Sequence, residues 1–361
     1  MAPDAKRAVA LVAAGAFSVA GVAFAVSHEY TRRLRRSGAH DDPELSVPDG
    51  VGHRVLAMRD GGESHLIELG EGPPVVLLHG ANLSAEVWSY QLRDLSEKHR
   101  VLALDLRGHG LSRAGSEDVT IPAMAEDVAQ VLEELDLDRA VLVGHSMGGM
   151  VSLRLFRCHP ELLGTRIGAV ALVATSAGVG LPSPSWARLA SAVSLVAGAG
   201  VGIWRPGRSF ATADAGYLAS RVGFGRKARP AEVAATMRML RAVDPQVFAK
   251  LVSEVLGFNE SAPYGDIGVA LAVAVGSSDH LTPPLYARRL AAGFERAELS
   301  EYAGAGHMLM YERREEIDEL LTALSARAVA TAPQGSSRTL TAPVDLASAR
   351  ASTPSRQRAK G

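Results

Sequence analysis

The chain has little cysteine, few aromatics and no excess of either charge. Of 361 residues only Cys158 is a cysteine, which excludes an intrachain disulfide framework and a cysteine-rich metal site. Lysine and arginine number 38 against 39 aspartates and glutamates, for a net charge of −1. So even a balance, with no basic stripe, gives no reason to expect a nucleic-acid partner. Aromatic residues are 5% of the chain, so a core has to come from the aliphatic residues that dominate the 47% hydrophobic content. That content suffices for one large α/β domain with an insertion.

Charge is also missing locally. Ala8 to Val26 carries none, a stretch long enough to cross a bilayer as a helix. Lys6 and Arg7 precede it, and Arg32, Arg33, Arg35 and Arg36 follow. The following arginines favour an uncleaved membrane anchor within residues 1–36, with the remainder of the chain on the cytoplasmic side. A signal peptide cut after Ala23-Phe24-Ala25, with export, is the competing expectation. An apolar helix that does not enter a membrane is the third. Residues 37–50, with Pro43 and Pro48, read as a linker. Residues 326–361 have few large apolar side chains and are expected to be a disordered tail.

Between linker and tail, short apolar runs alternate with helical patterns. Val55–Arg59 and Ser64–Glu68 flank Asp60-Gly61-Gly62 as a hairpin would. Val75–Leu78, Val101–Leu104, Ala140–Val143, Ala169–Ala174, Leu271–Val275 and Ala297–Tyr302 read as strands. Glu86–Ser96, Thr120–Leu135 and Met150–Cys158 read as helices. The alternation predicts an α/β fold, a mostly parallel sheet flanked by helices. Residues 178–265 break the rhythm with helical patterns and no strand pair. They are expected to form a helical cap inserted between a first core segment, 51–177, and a second, 266–325.

The sharpest local signal is Gly144-His145-Ser146-Met147-Gly148, between a predicted strand and a predicted helix. In that context G-x-S-x-G is a sharp turn that lifts a serine hydroxyl clear of the sheet. A serine hydroxyl needs a base to become a nucleophile. Asp279 follows the strand Leu271–Val275, and His307 lies in Gly304-Ala305-Gly306-His307 after the last strand. The order serine, acid, histidine fits an acyl-transfer triad in which Asp279 orients His307 and His307 deprotonates Ser146. The developing oxyanion needs backbone donors, and the N–H groups of Met147 and of Ala81, just past Val75–Leu78, are the candidates. His79, His109 and His145 read as structural residues. Asp105, at the end of an early strand, is a weak rival for the orienting acid. No metal or organic cofactor is called for.

These residues carry a resemblance. His79-Gly80, Asp105-Leu106-Arg107-Gly108-His109-Gly110-Leu111-Ser112, the elbow with Gly149, Gly276…Asp279…Pro283 and Gly306-His307 together resemble the α/β-hydrolase superfamily over about residues 51–325. His159-Pro160-Glu161-Leu162-Leu163-Gly164 and Ala174-Thr175-Ser176-Ala177-Gly178 look like bacterial esterase and lipase members with an N-terminal hydrophobic segment. The resemblance implies a serine hydrolase acting on a small-molecule or lipid ester. Members that open epoxides or displace halide carry aspartate at the elbow, and Ser146 stands there instead. Thioester hydrolysis, C–C hydrolysis, cofactor-free haloperoxidase or perhydrolase activity and a non-enzymatic tethered binding role are the alternatives. Within the cap, Leu189 to Trp204 is uncharged, which points to an apolar acyl group.

Overall fold

The structure, a computed structural model, describes residues 42–178 and 220–330. Its centre is an eight-stranded sheet of order β1-β2-β4-β3-β5-β6-β7-β8. The strands are β1 (Gly52–Ala57), β2 (Glu63–Leu69), β3 (Pro74–Leu78), β4 (Arg100–Leu104), β5 (Ala140–His145), β6 (Ile167–Val173), β7 (Ala270–Gly276) and β8 (Ala297–Tyr302). The hairpin β1–β2 and the pair β2–β4 are antiparallel; every other pairing is parallel.

The reason for this layering is visible in the strands. A parallel strand covered on both faces reads as a continuous apolar run, and β5, with Ala140 to Val143, and β6 are buried along their whole length. Side chains alternate between two separate cores. Val75, Leu77, Val141, Val143, Ala171 and Val173 face one core; Val76, Leu78, Leu142, Val170 and Leu172 face the other. The second core also contains α2 (Ile121–Glu134) and α3 (Met147–Cys158), after α1 (Ser89–Leu95) on the first. Thr120 caps α2 by accepting the amide of Ala123 at 3.2 Å, and Pro122 occupies the first turn, where its missing N–H costs nothing. The predicted helix 86–96 is a 3-10 turn, Ala85–Trp88, followed by α1.

The insertion supplies α4 (Pro230–Ala242) and α5 (Pro245–Gly257). Glu254 of α5 accepts the amide of Ile121 at 3.1 Å, and Lys250 pairs with Asp118, so α5 is fastened to the start of α2. The uncharged run from Leu189 to Trp204 lies outside the described residues, as do Ala8–Val26 and residues 331–361. Among the described residues no helix is long and apolar enough to cross a membrane.

The second core segment adds α6 (Pro284–Ala292), the single turn α7 (Leu309–Glu312) and α8 (Arg314–Ala330). The last helix corrects the expected start of the tail at residue 326. Residues 326–330 are helical, because alanine is the best helix former and Ala328 finds a partner surface. Ala328 is buried beside Gly168, and its carbonyl accepts Arg139 Nε at 2.7 Å.

Where α8 packs on α1, Asp318 accepts Gln91 Nε2 at 3.0 Å. Burial, reinforced by the carboxylate of Asp94, pushes its pKa up to about 7. A carboxyl group raised in the fold binds its proton more tightly there than in the unfolded chain. Its contribution is therefore complete at low pH and is lost as pH rises towards 7. Asp318→Asn is expected to melt higher than the wild type at pH 8 and equally at pH 4. A calorimetric difference independent of pH would contradict this account.

Candidate active site

Ser146 follows β5 and caps the N-terminus of α3 with φ 51° and ψ −114°. A non-glycine residue at positive φ costs on the order of 1–3 kcal/mol and persists only where its surroundings enforce it. Here the enforcement is close backbone packing. A Cβ at Gly144 would lie 2.6 Å from Gly148 O, and one at Gly148 would lie 2.5 Å from Leu78 O. The turn can be this tight only with glycine at both positions. Thr175 braces it from the end of β6, its Oγ1 donating to Ser146 O at 2.7 Å.

Asp279 follows β7 and is almost completely buried. Its Oδ1 accepts the amides of Leu281 at 2.8 Å and Thr282 at 2.9 Å. Its Oδ2 accepts Thr282 Oγ1 and His307 Nδ1, each at 2.8 Å. Burial alone would raise this carboxyl, but the charge and hydrogen bonds of His307 and Thr282 outweigh it and hold the group below the usual aspartate range. With Nδ1–H donated to Asp279, the lone pair of His307 sits on Nε2. The carboxylate thus selects the tautomer that a general base requires.

Ser146 and His307 line one cavity of about 450 Å³ with Gly80, Ala81, Met150 and Phe248, among others. Ser146 Oγ forms no hydrogen bond to His307 among the described residues. In substrate-free sites such bonds are often long and tighten only on binding. Ala81 lines the cavity beside Ser146. Met147 is fully buried and does not line it; what it offers is the backbone N–H of the first residue of α3, which has no intrahelical acceptor.

The histidines His145, His79 and His109 have structural partners. His145 is buried; burial, with the charge of His307 adding, pushes its pKa well down. Its Nε2–H therefore donates to His307 O at 3.1 Å, supporting the backbone that carries the candidate base. His79 Nε2 accepts the amide of Leu106 at 2.9 Å, and His109 Nε2 accepts that of Asn82 at 3.1 Å. Burial holds His109 at a pKa of about 3, so its acceptor nitrogen stays unprotonated. Asp105 accepts the amides of Ala85 at 2.7 Å and Leu111 at 3.0 Å. Together these bonds tie the run 105–111 to the loop 79–85 that holds Ala81. Asp105 does pair with a histidine, but it is His65, at 2.8 Å, which continues to His53 at 3.0 Å.

Sequence reasoning missed Thr282, whose hydroxyl donates to Asp279 and lies 3.2 Å from His307 Nδ1. Its spacing three residues after the acid, just before Pro283, was the available signal. The supporting role of His145 had none.

Fold and site together define a class, an α/β sheet with a serine on a tight strand-to-helix turn and an acid-paired histidine that lines the same cavity as the serine. The chain belongs to the Alpha/beta hydrolase family, which it matches over residues 75–320. It is 27% identical to the AB hydrolase superfamily protein YisY of Bacillus subtilis over 283 residues, covering 72% of this chain and 93% of that protein. Among solved structures it resembles an esterase from Exiguobacterium antarcticum, with a TM-score of 0.64 and 19% identity over 76% of this chain and all of that one, a likeness of fold. The enol-lactonase from Burkholderia xenovorans LB400 gives a TM-score of 0.62 at 25% identity, over 76% of this chain and all of that one.

Proposed function

We propose that the protein is a serine hydrolase that cleaves carboxylic esters through a covalent acyl-enzyme. The observation that carries this reading is the 2.8 Å bond from His307 Nδ1 to the buried Asp279 carboxylate, on the cavity that Ser146 also lines. His307 Nε2 takes the hydroxyl proton as Ser146 Oγ attacks the ester carbonyl. The N–H groups of Ala81 and Met147 hold the tetrahedral oxyanion. Collapse expels the alcohol, which takes the proton back from His307. Water, deprotonated by the same Nε2, then attacks the acyl carbon; as the acid leaves, His307 returns that proton to Ser146 Oγ, which regenerates the free hydroxyl. Throughout, Asp279 keeps the imidazole in one tautomer and stabilises its protonated form.

Met150, Leu240, Phe248, Val255, Leu256 and Met308 make the cavity wall mainly apolar. Such a wall favours an apolar acyl chain, since each buried methylene contributes about 0.8 kcal/mol. Across p-nitrophenyl acetate, butyrate, hexanoate and octanoate, kcat/KM is expected to rise about two- to fourfold per added methylene until the cavity is full. A strict preference for acetate would reject the apolar-chain reading. No turnover of any ester, together with no labelling of Ser146 by a fluorophosphonate, would reject the hydrolase reading itself.

A further inference from the structure

We propose that Glu312 is a positioning residue that fastens the chain entering cap helix α4 to the loop carrying His307, and so sets where the imidazole stands relative to Ser146. The proposal rests on the triad reading above. Its basis is one carboxylate with two backbone partners far apart in sequence. Glu312 Oε2 accepts the amide of Gly225 at 2.8 Å, and Oε1 accepts that of Gly306 at 2.9 Å. Gly225 lies just before α4; Gly306 immediately precedes His307.

The same two segments meet again without Glu312. Gly223 O accepts the amide of His307 at 2.7 Å and that of Met308 at 3.2 Å. Their backbones are so close that a Cβ on Gly306 would run into the amide nitrogen of Gly225, and a Cβ on Gly225 into the carbonyl oxygen of Gly304. This is a backbone-to-backbone join, and the carboxylate bridges its two sides. Charge-assisted bonds from N–H to carboxylate are the stronger kind.

The join has a functional direction. Ser220 and Gly223 line the cavity on one side of Gly225, and Thr236 and Leu240 of α4 line it on the other. The chain that surrounds the substrate space is therefore hydrogen-bonded to the backbone of the base. Asp279 and Thr282 fix the Nδ1 edge of the imidazole; Glu312 fixes the main chain from which it projects. A shift of about 1 Å in a reacting group can cost roughly 100-fold in rate, so this placement bears on chemistry more than on substrate affinity.

The test is Glu312→Gln in the full chain. It keeps the shape and one acceptor oxygen but loses the charge and the second acceptor. Active sites are counted with a fluorophosphonate probe, so unfolded molecules do not enter kcat. With p-nitrophenyl butyrate, kcat per labelled site is expected to fall about 10- to 100-fold, with KM within about twofold. The low-field proton NMR line of the His307–Asp279 hydrogen bond should shift in the same variant. A merely structural glutamate would lower the melting temperature and the labelled fraction, leaving kcat per site and the NMR line as in the wild type; that result overturns the proposal. Should E312Q not fold, Gly225→Ala opens the join from the cap side, and an unchanged kcat per site there overturns it equally. Ester turnover that survives Ser146→Ala would instead sink the triad reading.

Discussion

Ser146→Ala is expected to reduce p-nitrophenyl ester turnover by at least about 10⁴-fold and to abolish fluorophosphonate labelling. The loss should be this large because, on the proposed mechanism, the Ser146 hydroxyl oxygen is the atom that forms the acyl bond. His145 is directed at the His307 carbonyl, and Thr175 Oγ1 is engaged with Ser146 O. The melting temperature should stay close to that of the wild type. Positive φ at position 146 is imposed by the contacts around Gly144 and Gly148, which alanine leaves in place. More than about a tenth of the wild-type activity remaining would exclude Ser146 as the nucleophile, because groups that act as a unit fail together.

Asp279→Asn is expected to lower kcat by about 10⁴-fold with little change in fold. The asparagine oxygen can keep the amides of Leu281 and Thr282. Its NH2 group then faces His307 Nδ1, and a donor opposite that nitrogen favours the tautomer with the proton on Nε2. Such an imidazole cannot accept the serine proton. The linkage has a definite sign in the wild type. The Asp279 carboxyl is held below its ordinary value, so its contribution to stability is present above the unfolded-state pKa and is lost only as pH falls through the lowered folded value. The stability advantage of the wild type over D279N, whose amide does not titrate, should thus be full near neutral pH and shrink as pH falls. Near-wild-type kcat in D279N would move the orienting role to another acid, and the pairing of Asp105 with His65 leaves that residue a poor substitute.

The family and the candidate site were legible in the sequence for the same reason. A nucleophile elbow demands small residues at fixed offsets from the serine, and this demand appears as Gly144 and Gly148 within five residues. Asp279 and His307 stood out because each follows a predicted strand, and in a parallel sheet the chain leaves such strands at the same edge. Buried parallel strands announce themselves as unbroken aliphatic runs. Chain ends are harder to read: residues 326–330 are mostly alanine and offer little large apolar surface, yet Ala328 packs against Gly168 and the helix continues.

The order of Ser146, Asp279 and His307, the parallel sheet and the glycine-dependent turn were determined by the sequence itself, since each is imposed by covalent neighbours or announced by an unbroken apolar run. Only the tertiary structure decided that Thr282 shares the Asp279 carboxylate, that Asp105 serves His65, that His145 holds the His307 backbone and that Glu312 bridges Gly225 and Gly306. Each of these depends on a hydrogen bond whose donor and acceptor are brought together by packing. Such a bond acts over about 3 Å in space and leaves no periodicity along the chain.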